Sequence, residues 1–467
     1  MKRTALAVTL ISALLTLAVA GTLSVYAAEN SWVLKAPMHE ARCGLGVAVV
    51  NGKIYAIGGA SNNGFLATNE VYDPTTNTWT SKEPMPTPRS YFGIAVYQNK
   101  IYCIGGYIPE HPTGANEVYD PATDTWENKA PMATPALNLQ ANVVNGKIYL
   151  IGGDPNGTLN QVYYPASDTW LTKASAPTAV SSYASAVVDN KIYVITSNLN
   201  QIYDAENDSW SLGAPAPLPT VLASAGATTS VNAPERVYVF GADADLPFWQ
   251  LTTRNFTAQS YDPKTNSWTM CASVPTGRFS ASVAVLDDLL YVIGGFTLEF
   301  PTDRFTLNPS YTYKAVNEQY TPFGYGTAPL AVHVVSPENK TCATSNVSLI
   351  FTVNKPAVWM GYSLDGQETV TVTSNTTLAR LASGLHNVTV YAKDTFENTG
   401  TSETITFTIT KEPEPFPTTL VATASALVAL VGVGLMVYFK KRNHQKEKQQ
   451  TRVSVCSALP SLASSVF

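Results

Sequence analysis

The sequence of 467 residues predicts an all-β protein in which a six-bladed β-propeller precedes a small β-sandwich and one membrane-spanning helix. Three observations support this prediction. First, an apolar segment that ends in diglycine or a substitute recurs six times. Second, after about residue 329 this pattern gives way to strict alternation of apolar and polar residues. Third, an uncharged apolar run occupies 418–439. Repeats of about 40 to 58 residues with four strands each are typical of propeller blades, because one four-stranded sheet cannot bury both of its faces alone.

The chain begins with the pattern of a secretory signal peptide at residues 1–28. Lys2 and Arg3 precede an apolar run, and small residues follow near Ala27 and Ala28, where cleavage is expected. The alternative is an anchor that is not cleaved.

Six copies of the repeat follow at 29–328. Their second strands read "KIYAIGG" (53–59), "KIYCIGG" (100–106), "KIYLIGG" (147–153), "KIYVITS" (191–197), "RVYVFGA" (236–242) and "LLYVIGG" (289–295). An alternating run precedes each of them, and a Tyr-containing segment such as "NEVYD" follows. The first five copies then lead to a Trp, at Trp79, Trp126, Trp170, Trp210 and Trp268. Each copy therefore predicts four short strands.

The stretch "VYDPTTNTW" (71–79) predicts the turn between the third and fourth strands. Asp73 is expected to bond the backbone ahead of it, Pro74 to fix φ, and Asn77 to accept a left-handed conformation. We expect the following Trp to fill the space between neighbouring sheets.

The sixth copy ends without a Trp, whereas "NSWVLKAPM" at the start of the mature chain matches "DTWENKAPM" of the second copy. We infer that the segment around Trp32 completes the last blade and closes the ring, which removes open sheet edges.

These residues closely resemble the kelch repeat, in which diglycine and a spaced Tyr and Trp mark each blade. The resemblance covers about 300 residues, and two copies depart from it, with Thr196-Ser197 and Gly241-Ala242 in place of diglycine. In kelch proteins that bind acidic peptides, arginines just before the first strand line the mouth of the channel. The resemblance therefore implies ligand-binding roles for Arg42, Arg89 and Arg278. The alternative is that they bond loop carbonyl groups.

The two longest inserts, 242–257 and 296–315, join second to third strands and are expected on the same face as these arginines. They are rich in aromatic residues, which together with Arg dominate binding hot spots. The aromatic residues assigned to the ligand site are Phe248, Trp249, Phe305 and Tyr311. The alternative is that the inserts pack back onto the propeller.

After the repeats, residues 329–411 alternate between apolar and polar side chains, as in "VSLIFTV". This pattern predicts antiparallel strands with one solvent-exposed face. Their length and turns suit an immunoglobulin-like or fibronectin-like sandwich. The stretch "SGLHNVTVYAKDTFENTG" resembles Ig-like modules of prokaryotic surface proteins. The Pro-rich segment 412–417 predicts a stiff linker.

Residues 418–439 carry no charge and, at about 1.5 Å per residue, reach about 33 Å, enough for a membrane core of about 30 Å. The basic segment that follows predicts a cytoplasmic tail at 440–467, with the N-terminal domains outside the cell. The anchor, the glycosylation sequons and the Ig-like module resemble those of archaeal surface proteins.

Charge and spacing also limit the function. Apart from the leader and the tail, 21 basic and 33 acidic residues give a net charge of −12, so nucleic acid is an unfavourable partner. Four cysteines outside the tail show no disulfide framework, and we expect at most one disulfide. Possible glycosylation sites are Asn156, Asn207, Asn255, Asn339, Asn346, Asn375 and Asn387.

The sequence predicts a membrane-anchored, cell-surface binding or adhesion protein that recognises an extracellular protein or glycan. It is not predicted to be an enzyme or to hold a metal or cofactor. One alternative is a tethered enzyme acting on surface carbohydrate, which would need converging acids. The candidates for such acids are Asp243, Asp245, Glu299 and Asp303. The other alternative is a structural component of the cell envelope.

Overall fold

The computed structural model describes residues 28–180, 182–243, 256–299, 310–410 and 440–441. The chain divides into two compact units, one with residues up to Leu330 together with Asp394–Asn398, and the other with Ala331–Lys393 and the residues from Thr399. Apart from the two helical residues 440–441, the described parts of both units consist of strands, turns and irregular segments, and the prediction of an all-β, propeller-like fold is confirmed.

Several predicted features lie outside the described residues. They are the signal segment up to residue 27, the apolar run 418–439 and, in the inserts, Phe248, Trp249, Phe305 and Asn255. Within the described ranges, none of the helical segments has the length and apolar character needed to cross a membrane.

The first unit contains six four-stranded antiparallel sheets, which we number in chain order. Sheets 1 to 3 are Gly46–Val50, Lys53–Ile57, Asn69–Asp73 and Thr78–Lys82; Gly93–Tyr97, Lys100–Ile104, Asn116–Asp120 and Thr125–Asn128; and Ala141–Val144, Lys147–Ile151, Asn160–Tyr164 and Thr169–Lys173. Sheets 4 and 5 are Ala184–Val188, Lys191–Thr196, Leu199–Asp204 and Ser209–Leu212; and Thr220–Ala227, Val237–Asp243, Phe256–Asp262 and Ser267–Met270. Sheet 6 is Ser282–Leu286, Leu289–Ile293, Asn317–Thr321 and the N-terminal strand Ser31–Lys35.

The six sheets form a closed ring. Each first strand contacts the first strand of the next sheet, and the sixth returns to the first. The N-terminal strand pairs antiparallel with Asn317–Thr321, with Trp32 opposite Tyr320. Chain start and last repeat therefore share one sheet, and the ring is joined by backbone hydrogen bonds as well as by packing.

Second strands are buried almost throughout because a neighbouring sheet covers each of their faces. In Lys53–Ile57 only the lysine is exposed, and Ile54 and Ile57 pack into separate hydrophobic clusters on opposite faces of sheet 1. Continuous apolar runs rather than alternation are expected for strands buried on both faces.

The turn at 73–77 has the bonds expected from its sequence. The backbone N–H of Thr75 donates to Asp73 Oδ1 at 2.9 Å, and Asn77 has a φ of 55°. This arrangement lowers the pKa of the Asp73 carboxyl to about 2, first through the Thr75 hydroxyl and then through Lys53. The turn therefore fixes where the fourth strand begins.

That fourth strand joins each sheet to the preceding one through its Trp. The indole Nε1 donates to a backbone carbonyl just after the preceding sheet's fourth strand, at 2.8–3.0 Å. The pairs are Trp79–Ala36, Trp126–Glu83, Trp170–Ala130, Trp210–Ala174, Trp268–Ala214 and Trp32–Ala272. Because Trp32 reaches Ala272, the cycle of six bonds is complete.

Each diglycine lies where two backbone segments approach it, one from the next repeat and one from its own repeat. A Cβ on Gly58 would lie 2.8 Å from the Arg89 carbonyl oxygen, and one on Gly59 would lie 2.8 Å from that of Cys43. In sheet 4, which lacks the diglycine, the second strand continues to Thr196 and turns directly into the third through Ser197, with a φ of 52°.

The second unit contains two sheets and several short strand pairings. One sheet consists of Val332–Ser336, Val347–Val353 and Thr376–Leu378. The other consists of Thr341–Cys342, Ile405–Ile409, Gly384–Lys393, Trp359–Leu364 and Val370–Val372, with Thr399–Thr401 paired to Gly384–Lys393. Alternating side chains of Val347–Val353 are buried, as expected for a strand with one wet face.

Cys43, Cys103, Cys271 and Cys342, the cysteines of the described residues, are all free thiols. Burial raises the pKa of the Cys43 thiol to about 11 and that of Cys103 to about 12. These thiols are therefore protonated at neutral pH.

Candidate functional site

The three arginines predicted to contact a ligand are buried. The exposed fractions of Arg42 and Arg89 are 0%, and that of Arg278 is 4%. Each guanidinium forms an ion pair with a buried glutamate on the third strand of its own sheet. Arg42 pairs with Glu70 at 2.6 Å, Arg278 pairs with Glu318 at 2.5 Å, and Arg89 pairs with Glu117.

The same arginines also bond the backbone. Nη2 of Arg42 donates to the carbonyl of Ala56 at 3.0 Å, that of Arg89 to Cys103 at 2.8 Å, and that of Arg278 to Val292 at 2.7 Å. Burial lowers the pKa of Arg42 and Arg278, and the facing glutamates oppose this shift. The assignment of these arginines to the ligand site is therefore corrected: their charges are already matched, and their side chains hold the second and third strands together.

In the other three sheets, uncharged residues replace both the arginine and the glutamate. Ala136, Val180 and Thr220 occupy the arginine position there, and the facing residues are Gln161, Gln201 and Gln259. Each glutamine side chain accepts from and donates to the backbone of one residue, Thr134, Thr178 or Leu218. A carboxylate is present only where an arginine faces it, because a buried unpaired charge is costly.

The axis of the ring holds a small cavity of about 60 Å³, lined by residues that precede or begin the first strands of all six sheets. It has room for a few water molecules. Its described lining includes Tyr91, Gln140 and Ser282 but no carboxylate, imidazole or guanidinium group. Of the four acids considered for carbohydrate chemistry, Glu299 alone has a described side chain, and it is not part of this lining.

Three hairpins extend second and third strands beyond the sheets, and together they define what we call the hairpin face. Their strands are Ala60–Ser61 with Gly64–Phe65, Tyr107–Ile108 with His111–Pro112, and Phe296–Glu299 with Ser310–Tyr313. Each pairs with the segment leading into a first strand, through Cys43–Ala60, Ser90–Tyr107 and Phe279–Phe296. The hairpins are therefore fixed to the ring.

A groove of about 370 Å³ lies between the first and third of these hairpins. We call it the tyrosine groove. Its lining consists of His39, Glu40, Ala41, Ser61, Asn62, Asn63, Tyr311, Thr312 and Tyr313. Tyr311 is 51% exposed, so this groove presents an aromatic wall to solvent beside amide, hydroxyl and carboxylate groups.

Backbone bonds hold both walls of the groove to its floor. Cys43 and Ala60 exchange two hydrogen bonds, of 3.0 and 2.8 Å, and the N–H of Arg42 donates to the Lys314 carbonyl at 3.2 Å. The Tyr311 ring packs on Phe296, with ring centroids 5.4 Å apart. Binding to a site held in this way costs little ordering of the protein.

The floor of the groove connects to a buried ion pair. His39 Nδ1 lies 2.8 Å from Glu70 Oε1, and the other oxygen of Glu70 faces Arg42. Glu40 accepts a hydrogen bond from the Thr68 hydroxyl at 2.7 Å, and its side chain is 32% exposed.

The sequence identified one residue of this groove, Tyr311, and missed His39, Glu40 and the Ser61–Asn63 wall. A signal for the floor was present. Where the second copy reads "PMPTPR" (84–89), the first reads "PMHEAR" (37–42), so His39 and Glu40 replace a Pro and a Thr. The described residues contain no group of three or more His, Cys, Asp and Glu side chains placed to hold a metal.

Comparison with known protein families shows which family matches the propeller-like unit. A model of the attractin/LZTR1 β-propeller matches residues 54–306, more than half of the chain. The chain belongs to this family. Kelch-type propellers of this kind generally serve as scaffolds for protein interactions rather than as enzymes.

Two curated proteins are similar in sequence to shorter stretches of this chain. Spermatocyte protein spe-26 of Caenorhabditis elegans is 38% identical over 61 residues, 13% of this chain and 11% of that protein. Kelch-like protein terF of Aspergillus terreus is 34% identical over 103 residues, 21% of each chain. The chain thus spans only about a tenth to a fifth of the length of these relatives. A solved structure titled "Structure of YjhT" aligns with a TM-score of 0.47 at 15% identity, covering 56% of this chain and 93% of that one.

Proposed function

We propose that this protein is a membrane-anchored, cell-surface binding protein whose six sheets are the blades of a kelch propeller. In this proposal the hairpin face recognises an extracellular protein or glycan through the tyrosine groove. The observation that carries the proposal is the half-exposed Tyr311 on a hairpin that backbone bonds fix to the ring. An exposed aromatic wall on a rigid frame is what a binding hot spot requires.

Surface display is supported by the sequence at both ends of the chain. Residues 1–28 carry the signal-peptide pattern, and 418–439 followed by a basic tail at 440–467 carry the pattern of an anchor with an outward-facing N-terminal part. In this proposal, residues 329–411 form an Ig-like module and 412–417 a linker to the membrane.

Exposure of the sequons agrees with an extracellular glycoprotein. All six sequon asparagines in the described residues are exposed, namely Asn156, Asn207, Asn339, Asn346, Asn375 and Asn387. Four of them belong to the second unit, between residues 339 and 387. Glycans there would coat this module in the proposed arrangement.

Binding by the full-length protein in detergent to a panel of surface glycans and envelope proteins tests the proposal. Tyr311→Ala should weaken any binding by roughly tenfold or more, as expected for an aromatic hot spot. Leu212→Ala is the matched control, because Leu212 is also exposed, at 67%, but lies on an outer strand of sheet 4. Equal losses in both variants, or a loss only in the control, would place recognition elsewhere. Absence of any binding would favour the alternative hypothesis that the protein is a structural component of the cell envelope.

A further inference from the structure

Comparison of equivalent positions among the repeats shows which contacts a residue makes for structural reasons. The residue two places before the buried arginine is Thr87 in the second repeat and Thr276 in the sixth. Both hydroxyls donate to the facing glutamate, Thr87 to Glu117 at 2.6 Å and Thr276 to Glu318 at 2.7 Å. A threonine at this place therefore completes the bonding of the buried carboxylate.

The first repeat has Glu40 at that position, and a glutamate has no proton to donate to Glu70 at neutral pH. His39 supplies the missing donors instead. Its backbone N–H donates to Glu70 Oε1 at 2.9 Å, and its Nδ1 lies 2.8 Å from the same oxygen. Glu40 is thus released from the structural role that its equivalents perform.

The Glu40 carboxylate at the floor of the tyrosine groove accepts a hydrogen bond from the neutral Thr68 hydroxyl, and its cationic neighbour Arg42 is only at the limit of ion-pair distance. Arg42 lies 2.6 Å from Glu70 but 4.0 Å from Glu40, so its charge is matched by Glu70. The other two arginine pairs have a neutral threonine in place of Glu40. Among the three paired repeats, the first therefore carries one extra negative charge, and that charge faces the groove.

We propose that the tyrosine groove binds a cationic side chain, a lysine ammonium or an arginine guanidinium, presented by a partner protein. Glu40 is the charged acceptor at the floor, and the rings of Tyr311 and Tyr313 form the wall on which a cation stacks. Asn62 and Asn63, from the opposite wall, offer amide groups to the partner's backbone. This inference rests on the proposed binding function and specifies its ligand.

The chemistry favours a basic protein segment over a neutral glycan. A carboxylate beside two aromatic rings attracts a positive charge. The Glu40 side chain is 32% exposed, so an ion pair formed with it is screened less than one on the open surface. The net charge of −12 outside the leader and tail attracts basic partners over a longer range.

A random dodecapeptide library displayed on phage tests this inference with the full-length protein in detergent. Selected peptides should be enriched in Lys and Arg. Synthetic copies should bind Glu40→Thr and Glu40→Gln roughly tenfold more weakly, the loss expected for a hydrogen bond between charged groups. Glu40→Thr installs the residue that the second and sixth repeats already have, so folding should be retained, which an unchanged unfolding temperature would verify.

Glu206→Gln is the control, since it removes the same charge from an exposed turn of sheet 4. Equal weakening by Glu206→Gln, binding unaffected by either Glu40 substitution, or peptides without basic enrichment would overturn the inference. Glycan binding that depends on Tyr311 but not on Glu40 would also overturn it, while the proposed binding function would stand. Binding that depends on neither Glu40 nor Tyr311 would overturn both this inference and the proposed binding function.

Discussion

At the scale of single residues, burial decides the role of the three arginines. A residue that precedes a first strand and faces a channel has the same sequence pattern whether it contacts a ligand or a buried glutamate. The structure has the second arrangement in all three cases. Glutamine replaces glutamate wherever the arginine is missing, so the sequence contained this information, in pairs of positions separated by 21 to 40 residues.

The first prediction concerns one of these pairs. Arg89→Ala leaves Glu117 buried without its partner, and it should lower the free energy of unfolding by about 3–5 kcal/mol. The double variant Arg89→Ala with Glu117→Gln copies Ala136 and Gln161 of sheet 3, and it should recover most of that loss. Denaturant unfolding of the first unit measures both. A double variant as unstable as the single one would contradict the account of paired charge.

At the scale of elements, the turn before each fourth strand also bonds the neighbouring sheet. Its left-handed Asn or Asp accepts from the Tyr hydroxyl of its own sheet, or for Asn30 of the sheet it helps to complete, at 2.5–2.8 Å. It also accepts a backbone N–H of the preceding sheet at 2.6–3.0 Å. The residues are Asn77, Asp124, Asp168, Asp208, Asn266 and Asn30. This one side chain therefore ties a turn, a core tyrosine and an adjacent sheet together.

The second prediction uses the choice between Asp and Asn at this place. The Tyr119 hydroxyl, followed by the Glu83 N–H and Lys82, holds the pKa of Asp124 below its usual value. A lowered folded-state pKa contributes stability that is present above the unfolded pKa of about 3.9 and is lost as pH falls through the folded value. Asp124→Asn should therefore keep the first unit folded to a lower pH in an acid titration followed by circular dichroism. An unchanged acid midpoint would contradict this role of Asp124.

The elements themselves could be predicted because their signals are local. Diglycine, the "NEVYD" strand and the Asp-Pro turn each lie within a few residues, and repetition strengthens each signal. The bonds between sheets could not be predicted, because which carbonyl Trp126 reaches depends on how two sheets pack. The sequence showed that Asn77 tolerates a left-handed φ but not that its side chain accepts two further hydrogen bonds.

At the scale of the whole first unit, ring closure assembles the candidate site. The floor at 39–41, one wall at 61–63 and the other at 311–313 come from the first and last repeats, about 270 residues apart in the sequence. Pairing of Ser31–Lys35 with Asn317–Thr321 brings them together. A site formed by closure has no local sequence pattern, which is why Tyr311 could be identified as an exposed aromatic residue but its neighbours could not.

The central claim is that the hairpin face contacts an extracellular ligand. The most direct test is photo-crosslinking on intact cells, with a photoreactive phenylalanine analogue at position 312 of the groove or at position 265. Position 265 is exposed in the turn between the third and fourth strands of sheet 5, at the opposite end of the strands. The account predicts an extracellular adduct from position 312, lost when Tyr311→Ala is added, and none from position 265. An adduct from position 265 alone, or one at position 312 that is indifferent to Tyr311, would contradict it.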